Sequence, residues 1–488
     1  MANHVDHKTT EKSSTGGLER RRRRVRRRGD RKHNGINQGS QGTTGSADSP
    51  KVHRPARDKN LGNERSRTTN VGAQHGDAVM PRRRQLASTG ATGASKSQGN
   101  AKGSPPKKRR RLPIIAAIDL GTNNCRLLVA QADMDLYRQS RKQHQNPAEG
   151  ANLKTMRSGV FRITDAFSRI VRLGEGLAST GRLTDEAIDR TITALKVCAG
   201  KVAKAKPVKL DAVATEACRR AENGALFLER VKNEVGINLR VISGREEAEL
   251  ALKSCVPLID TTAEMALVFD IGGGSTEVSV IRVSDLPAFL SQSPGVDFGE
   301  AAGSKFVDSV SAPVGVVTFA ESSSKRQDTS LTYEEMRVRV REQFRDLAER
   351  HDLLQLAQTN KLCVIGTGGT ITTLKALHLG LRSYDRSKVD ATQMASEEWR
   401  AVIAKIGAMS VSERIANGCI GSGRADLVMP GCAILEGMLD LWPASRVGVA
   451  DRGLREGLLV TMMDRLGRRQ SARRRGRRGR ARRRSLVV

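Results

Sequence analysis

Two distant segments of this chain share one pattern. Ile114–Ile118 is an apolar, β-prone run that leads into Asp119-Leu-Gly-Thr-Asn-Asn, and strand character resumes over Arg126–Ala130. Ala266–Ile271 is a second such run. It passes through Asp270-Ile-Gly-Gly-Gly-Ser, and Glu277–Ile281 returns as a strand. A strand, a glycine turn introduced by an aspartate and a returning strand make a β-hairpin in each case. The echo predicts two similar halves, and its shortness and wide spacing exclude a solenoid.

The intervening sequence supplies further elements. Ile188, Ile192, Leu195, Ala199 and Val202 lie on one face of a helix over Asp185–Val202, started by Thr184 or Asp185. Met336, Val340, Phe344 and Leu347 mark a second amphipathic helix. Ala212–Ala214 and Leu239–Ile242 read as short buried strands. Leu362–Ile365 is another, and Gly366-Thr-Gly-Gly-Thr then opens a helix over Ile371–Leu377. Strands alternating with helices predict an α/β fold.

The net charge of +32 does not belong to this folded part. Residues 1–111 carry 28 Lys and Arg against 8 Asp and Glu, and residues 465–488 carry 12 Arg and no acid. The stretch between them balances 44 against 44. Residues 1–111 contain no Phe, Tyr or Trp, so they are expected to be disordered, with too little apolar surface to offset chain entropy. Tails without aromatics touch nucleic acid only through phosphates. They read first as solubilising polycations. Lys107–Arg111 has the form of a nuclear import signal, a pattern short enough to recur by chance. Seven scattered cysteines without CxxC spacing predict reduced thiols. With no signal peptide and no apolar run of membrane length, the expectation is a cytoplasmic protein without a membrane partner.

Three glycine-rich turns in one core could cradle phosphate, since glycine lets backbone N–H groups approach an anion closely. The turn at Gly366–Thr370 also aims a helix N-terminus at its ligand. Asp119 and Asp270 fit Mg²⁺ ligands or turn caps. Arg219 and Arg220 fit phosphate clamps or surface ion pairs. Glu246, Glu247 and Glu249 offer a general base for water, or simply favour the helix dipole. The chain has no Gly-x-x-x-x-Gly-Lys-Ser/Thr, which excludes a P-loop enzyme. His144, His351 and His378 are too dispersed for a histidine metal site.

Six segments occur in a recognisable order: Ile118-Asp-Leu-Gly-Thr-Asn-Asn, Ala214-Thr-Glu-Ala-Cys-Arg, Ile242-Ser-Gly-Arg-Glu-Glu-Ala, Phe269-Asp-Ile-Gly-Gly-Gly-Ser-Thr-Glu, Gly366-Thr-Gly-Gly-Thr and Asp451-Arg-Gly-Leu-Arg-Glu-Gly. Over about residues 113–465 the chain resembles the exopolyphosphatase / guanosine pentaphosphate phosphatase family. That family lies in the actin / sugar-kinase / Hsp70 superfamily, so the resemblance implies two ribonuclease-H-like domains around a central cleft. The expected division is 112–243, with 452–465 returning to it, and 244–451, flanked by tails at 1–111 and 466–488. The resemblance makes Glu247 the base that activates water, with Glu277 beside it in catalysis. Asp119 and Asp270 become the Mg²⁺ ligands. Thr122, Asn123, Asn124, Arg219, Gly272, Gly273, Gly274, Ser275, Gly368, Gly369, Thr370 and Arg424 become phosphate contacts.

Longer family members carry a further C-terminal helical domain, and this chain resembles the short, two-domain form. His144–Gly159 and Asp285–Asp308 look like insertions. The expected activity is release of terminal phosphate from inorganic polyphosphate, or hydrolysis of guanosine pentaphosphate to tetraphosphate. The basic tails are expected to recruit polyanions, polyphosphate or RNA, and the resemblance carries a homodimer with it. A kinase or ATPase of the same superfold is disfavoured by Glu247, since a kinase must exclude water. A non-catalytic polyphosphate- or RNA-binding protein is the more distant alternative.

Overall fold

A computed structural model describes residues 112–144, 160–291, 305–323 and 331–468. The tail at 1–111, residues 469–488 and most of both expected insertions lie outside the described residues. Two mixed sheets organise the rest. The first contains β1 (Ile114–Leu120), β2 (Asn124–Ala132), β3 (Phe161–Ile170), β4 (Lys209–Ala214) and β5 (Arg240–Val241), in the order β3-β2-β1-β4-β5. β1, β2 and β3 form an antiparallel meander, while β4 runs parallel to β1 and β5 parallel to β4.

The second sheet contains β6 (Met265–Ile271), β7 (Thr276–Arg282), β8 (Val307–Ala312), β9 (Leu362–Gly368), β10 (Thr392–Ala395) and β11 (Arg446–Ala450), in the order β10-β11-β9-β6-β7-β8. β6, β7 and β8 are again an antiparallel meander, and β9 and β11 continue in parallel. The path of the first sheet is thus repeated, with β10 added antiparallel at the edge. The repetition is what the echo of hairpins predicted, and the order is the ribonuclease-H-like one that the resemblance implied.

Apart from Asp119 and Asp270 near their ends, β1 and β6 are apolar because both faces of each strand are covered. In β1, Ala116, Ile118 and Leu120 pack with Ile188, Ile192 and Leu195 of the helix Asp185–Ala205. Ile115 and Ala117 point the other way, onto Leu458, Leu459 and Met462 of the helix at 454–468. In β6, Leu267, Phe269 and Ile271 join one core, and Ala266 and Val268 another. This two-residue alternation is the strand period itself.

The helix Gly244–Cys255 belongs to both halves. Leu250 packs with β1 and the 454–468 helix, whereas Leu252 and Cys255 pack with β6. Its start is fixed by Ser243, whose Oγ accepts from the Glu246 amide at 3.2 Å.

Some boundaries differ from the sequence reading. The strand expected over Leu239–Ile242 is only two residues of ladder, Arg240–Val241. The final helix continues through residue 468, past 465 where the core was expected to end. All seven cysteines are free thiols, and Cys363 alone is not fully buried. Among the described residues no helix is long and apolar enough to cross a membrane.

Candidate active site

The two hairpin tips are built alike. Gly121 N donates to the Asn124 carbonyl at 2.9 Å, and Gly272 N donates to the Ser275 carbonyl at 3.0 Å. The tips pack directly on each other. A Cβ on Gly274 would lie 2.5 Å from Thr122 Oγ1, so only glycine fits there. The third glycine turn joins them at the end of β9. Gly368 has φ of 97° and begins the helix Gly369–His378, and a Cβ on it would meet the Ile271 carbonyl oxygen at 2.6 Å and Asp270 Oδ1 at 2.8 Å.

A cavity of about 420 Å³ opens where the three turns converge. Its wall includes Asp119, Thr122, Asn123, Asn124, Glu247, Asp270, Gly272, Gly273, Gly274, Ser275, Gly368, Gly369, Thr370 and Arg424. Arg219 and Glu277 do not reach this wall, nor do the other candidates Arg220, Glu246 and Glu249. Arg219 stands behind Glu247. Its Nη1 donates to Glu247 Oε2 at 2.9 Å and to the Ile242 carbonyl at 2.8 Å, while Nε and Nη2 both donate to Glu216 Oε2. Glu277 is buried in β7, where its Oε1 accepts from Ser275 Oγ at 2.6 Å and Ser311 Oγ at 2.8 Å. It holds the serine of the second tip.

The carboxylates resist ionisation. Burial pushes Glu247 well above the usual range, the charge of Glu277 adds to the shift, and Arg219 opposes it. Burial raises Asp270 to about 6, with Arg126 opposing and Asp119 adding. Burial likewise raises Glu277 to about 7, against its hydrogen bond from Ser275, and it raises Asp119 despite Arg126 and Arg455.

Positive charge faces them. Arg126, Arg424 and Arg455 line the cavity, and Arg424 Nη1 donates to Thr373 Oγ1 at 3.0 Å. Burial, and then the neighbouring Arg126, lower the pKa of Arg424. Burial is also the largest cause of the lowered pKa of Arg455. Arg126 and Arg455 make no hydrogen bond or close ion pair among the described residues. Asn123 Oδ1 is buried with no partner among them either. Guanidiniums gathered on one wall, with the carboxylates of Asp119 and Asp270 nearby but not in close ion pairs with them, favour a polyanion with several oxygens.

Arg126 and Arg455 were not singled out in the sequence. The register could have flagged Arg126: it pairs with Asp119 across the first hairpin, as Glu277 pairs with Asp270 across the second. Arg455 lies inside the last of the six segments, where nothing local distinguishes it from Arg452. Arg452 is instead bound to Asp390.

Asp119 and Asp270 come from equivalent positions of the two hairpins. Among the described residues no group of three or more His, Cys, Asp or Glu could hold a metal ion. Two facing carboxylates still fit Mg²⁺, which commonly takes one or two protein carboxylates and completes its shell with water and substrate phosphates.

Comparison with known proteins points to one family. The model of the Ppx/GppA phosphatase family matches residues 154–466. Exopolyphosphatase 2 of Mycobacterium tuberculosis is 29% identical over 327 residues, 66% of this chain and 88% of that protein. Among solved structures, an exopolyphosphatase-like protein is 26% identical, with a TM-score of 0.58 over 72% of this chain and 99% of its own. The Ppx/GppA family member of Aquifex aeolicus is 28% identical, with a TM-score of 0.51 over 72% of this chain and 98% of its own. With that match and relatives covered over most of their length, this chain belongs to the Ppx/GppA phosphatase family of phosphoanhydride hydrolases.

Proposed function

We propose that the cavity releases terminal orthophosphate from inorganic polyphosphate by attack of a water that Glu247 activates. The observation that carries this reading is Glu247 itself. It is a carboxylate on the first turn of a helix at the cavity wall, clamped by Arg219 at 2.9 Å and raised by burial, a residue type and position suited to a general base. In its ionised form it takes a proton from water. The water oxygen bonds to the terminal phosphorus, the bridging P–O bond breaks, and its electron pair leaves with the shortened chain. Asp119 and Asp270 would hold Mg²⁺, which when bound neutralises phosphate charge. Arg126, Arg424 and Arg455 offset the charge on the non-reacting oxygens, and the amides of the three glycine turns orient the chain.

In this reading residues 112–243 with 452–465 form one domain and 244–451 the other, with substrate between them. The Arg-rich ends concentrate the polyanion near a core that is itself neutral.

The test is phosphate release in the presence of Mg²⁺ from long-chain polyphosphate and, in parallel, from guanosine pentaphosphate, for wild type and Glu247→Ala. Release from polyphosphate that falls about 10²–10⁴-fold in the variant supports the reading. Release from the nucleotide alone assigns the cavity to guanosine pentaphosphate instead. Undiminished turnover in Glu247→Ala removes the base from the mechanism.

A further inference from the structure

The chain that leaves β3 grips the site from both sides. Val171 N and Arg172 N both donate to the Asn123 carbonyl, at 2.9 and 3.0 Å, and Gly174 N donates to the Thr122 carbonyl at 3.0 Å. Three amides thus hold the first hairpin tip from behind. Arg172 makes this turn with φ of 47°. A non-glycine residue adopts that left-handed conformation against steric cost, and such residues concentrate at functional sites.

The Arg172 side chain then crosses to the other half. Its guanidinium makes a two-point pair with Asp426, 3.0 Å at each contact, and Nη2 lies 3.5 Å from the Gly423 carbonyl. Gly423 and Asp426 flank Arg424, which is on the cavity wall. The two partners remain 32% and 48% exposed, so the pair adds little to stability. What it fixes is direction, because a two-point guanidinium–carboxylate contact sets orientation as well as distance.

The same segment reaches the second tip. Gly176 N donates to Glu321 Oε1 at 2.7 Å. Glu321 lies on the helix Val316–Ser322, whose Val316 and Val317 amides donate to the carbonyls of Gly272 and Gly273.

We propose that Arg172 is a positioning residue of the phosphohydrolase site. Its backbone sets the first phosphate loop, its guanidinium sets the loop of Arg424, and the two together fix the spacing of phosphate contacts that come from different halves. This rests on the reading that both loops hold the phosphate chain.

The test uses the full chain with Arg172→Gly, Asp426→Asn and the double variant. Glycine takes positive φ freely, so Arg172→Gly removes the guanidinium and keeps the turn. Binding of a methylene-bridged triphosphate is measured by calorimetry, alongside kcat and KM for polyphosphate and Tm. Each single variant is expected to weaken analogue binding about fivefold at unchanged Tm. The double variant is expected to bind as a single variant does, because the two side chains act as one unit. Losses that multiply to about 25-fold in the double variant overturn the proposal. So does analogue binding equal to wild type, or a fall in Tm that accounts for the loss. Because the analogue is not hydrolysed, a wild type that binds it and releases no phosphate refutes the proposed reaction, while the binding series still judges Arg172.

Discussion

Asp270 illustrates how a buried residue can work against the fold that holds it. Its carboxyl is raised from the ordinary 3.8 to about 6, chiefly by burial. The folded protein therefore keeps a proton that the unfolded chain has already lost between these two values. Proton binding is greater in the folded state, so stability declines as pH rises through that window and stays lower above it. Asp270→Asn removes the ionisation. It is expected to leave Tm near wild type at about pH 4 and to raise it by about 2 °C or more at about pH 8. Phosphate release should fall in the same variant. A Tm below wild type at the higher pH would mean that the ionised carboxylate is held by favourable partners such as Arg126. Neither this tension nor the unpaired state of Arg126 and Arg455 was legible in the sequence. Composition shows charges but not which of them lack partners. Asp270 was legible as a candidate from its glycine turn, and Glu247 from the family resemblance, since the local pattern alone did not separate it from Glu246 and Glu249. Their electrostatics needed the third dimension.

The hairpin is the element at which sequence and structure agree best. An apolar run, an aspartate and a glycine turn constrain the backbone so strongly that both hairpins, and their repetition, could be read directly. Of the strands without that punctuation, β4 and β5 were read from short apolar runs, whereas β3, β8, β10 and β11 were not singled out. β3 alternates half-buried and exposed positions at a sheet edge, and β10 is only four residues long. The sequence also understated what the glycines do. They also admit each other's hairpin: Gly274 sits where Thr122 leaves no room for a methyl group. Gly274→Ala is expected to separate the tips while leaving both sheets intact. Misplacement of reacting groups by about 1 Å can cost about 10²-fold, so kcat/KM should drop by that order with little change in Tm. A far larger loss of Tm would show that the tip contact supports the fold as a whole.

At the scale of the whole molecule, charge is segregated. The stretch 112–464 is balanced, and the excess lies at the two ends of the sequence. If those ends gather polyphosphate, the effect is electrostatic and must fade as salt screens it. Full-length protein is expected to show a KM for long-chain polyphosphate that climbs steeply with ionic strength. A variant lacking residues 1–111 and 469–488 should start from a higher KM and respond weakly to salt, with kcat unchanged. Equal KM values for the two proteins at low salt would rule out recruitment by the ends.

The helix Gly244–Cys255 has a mechanical consequence. Its side chains are embedded in the cores of both halves, and a Cβ on Gly457 would meet the Leu250 carbonyl oxygen at 2.1 Å, so the neighbouring helix runs hard against it. A rod clamped in two plates is the pin about which they can turn. Glu247 sits on the first turn of that rod, beside Arg219. If the plates part to admit a long chain, the pin barely travels. On the proposed reading, the base Glu247 then keeps its place beside Arg219, near the axis.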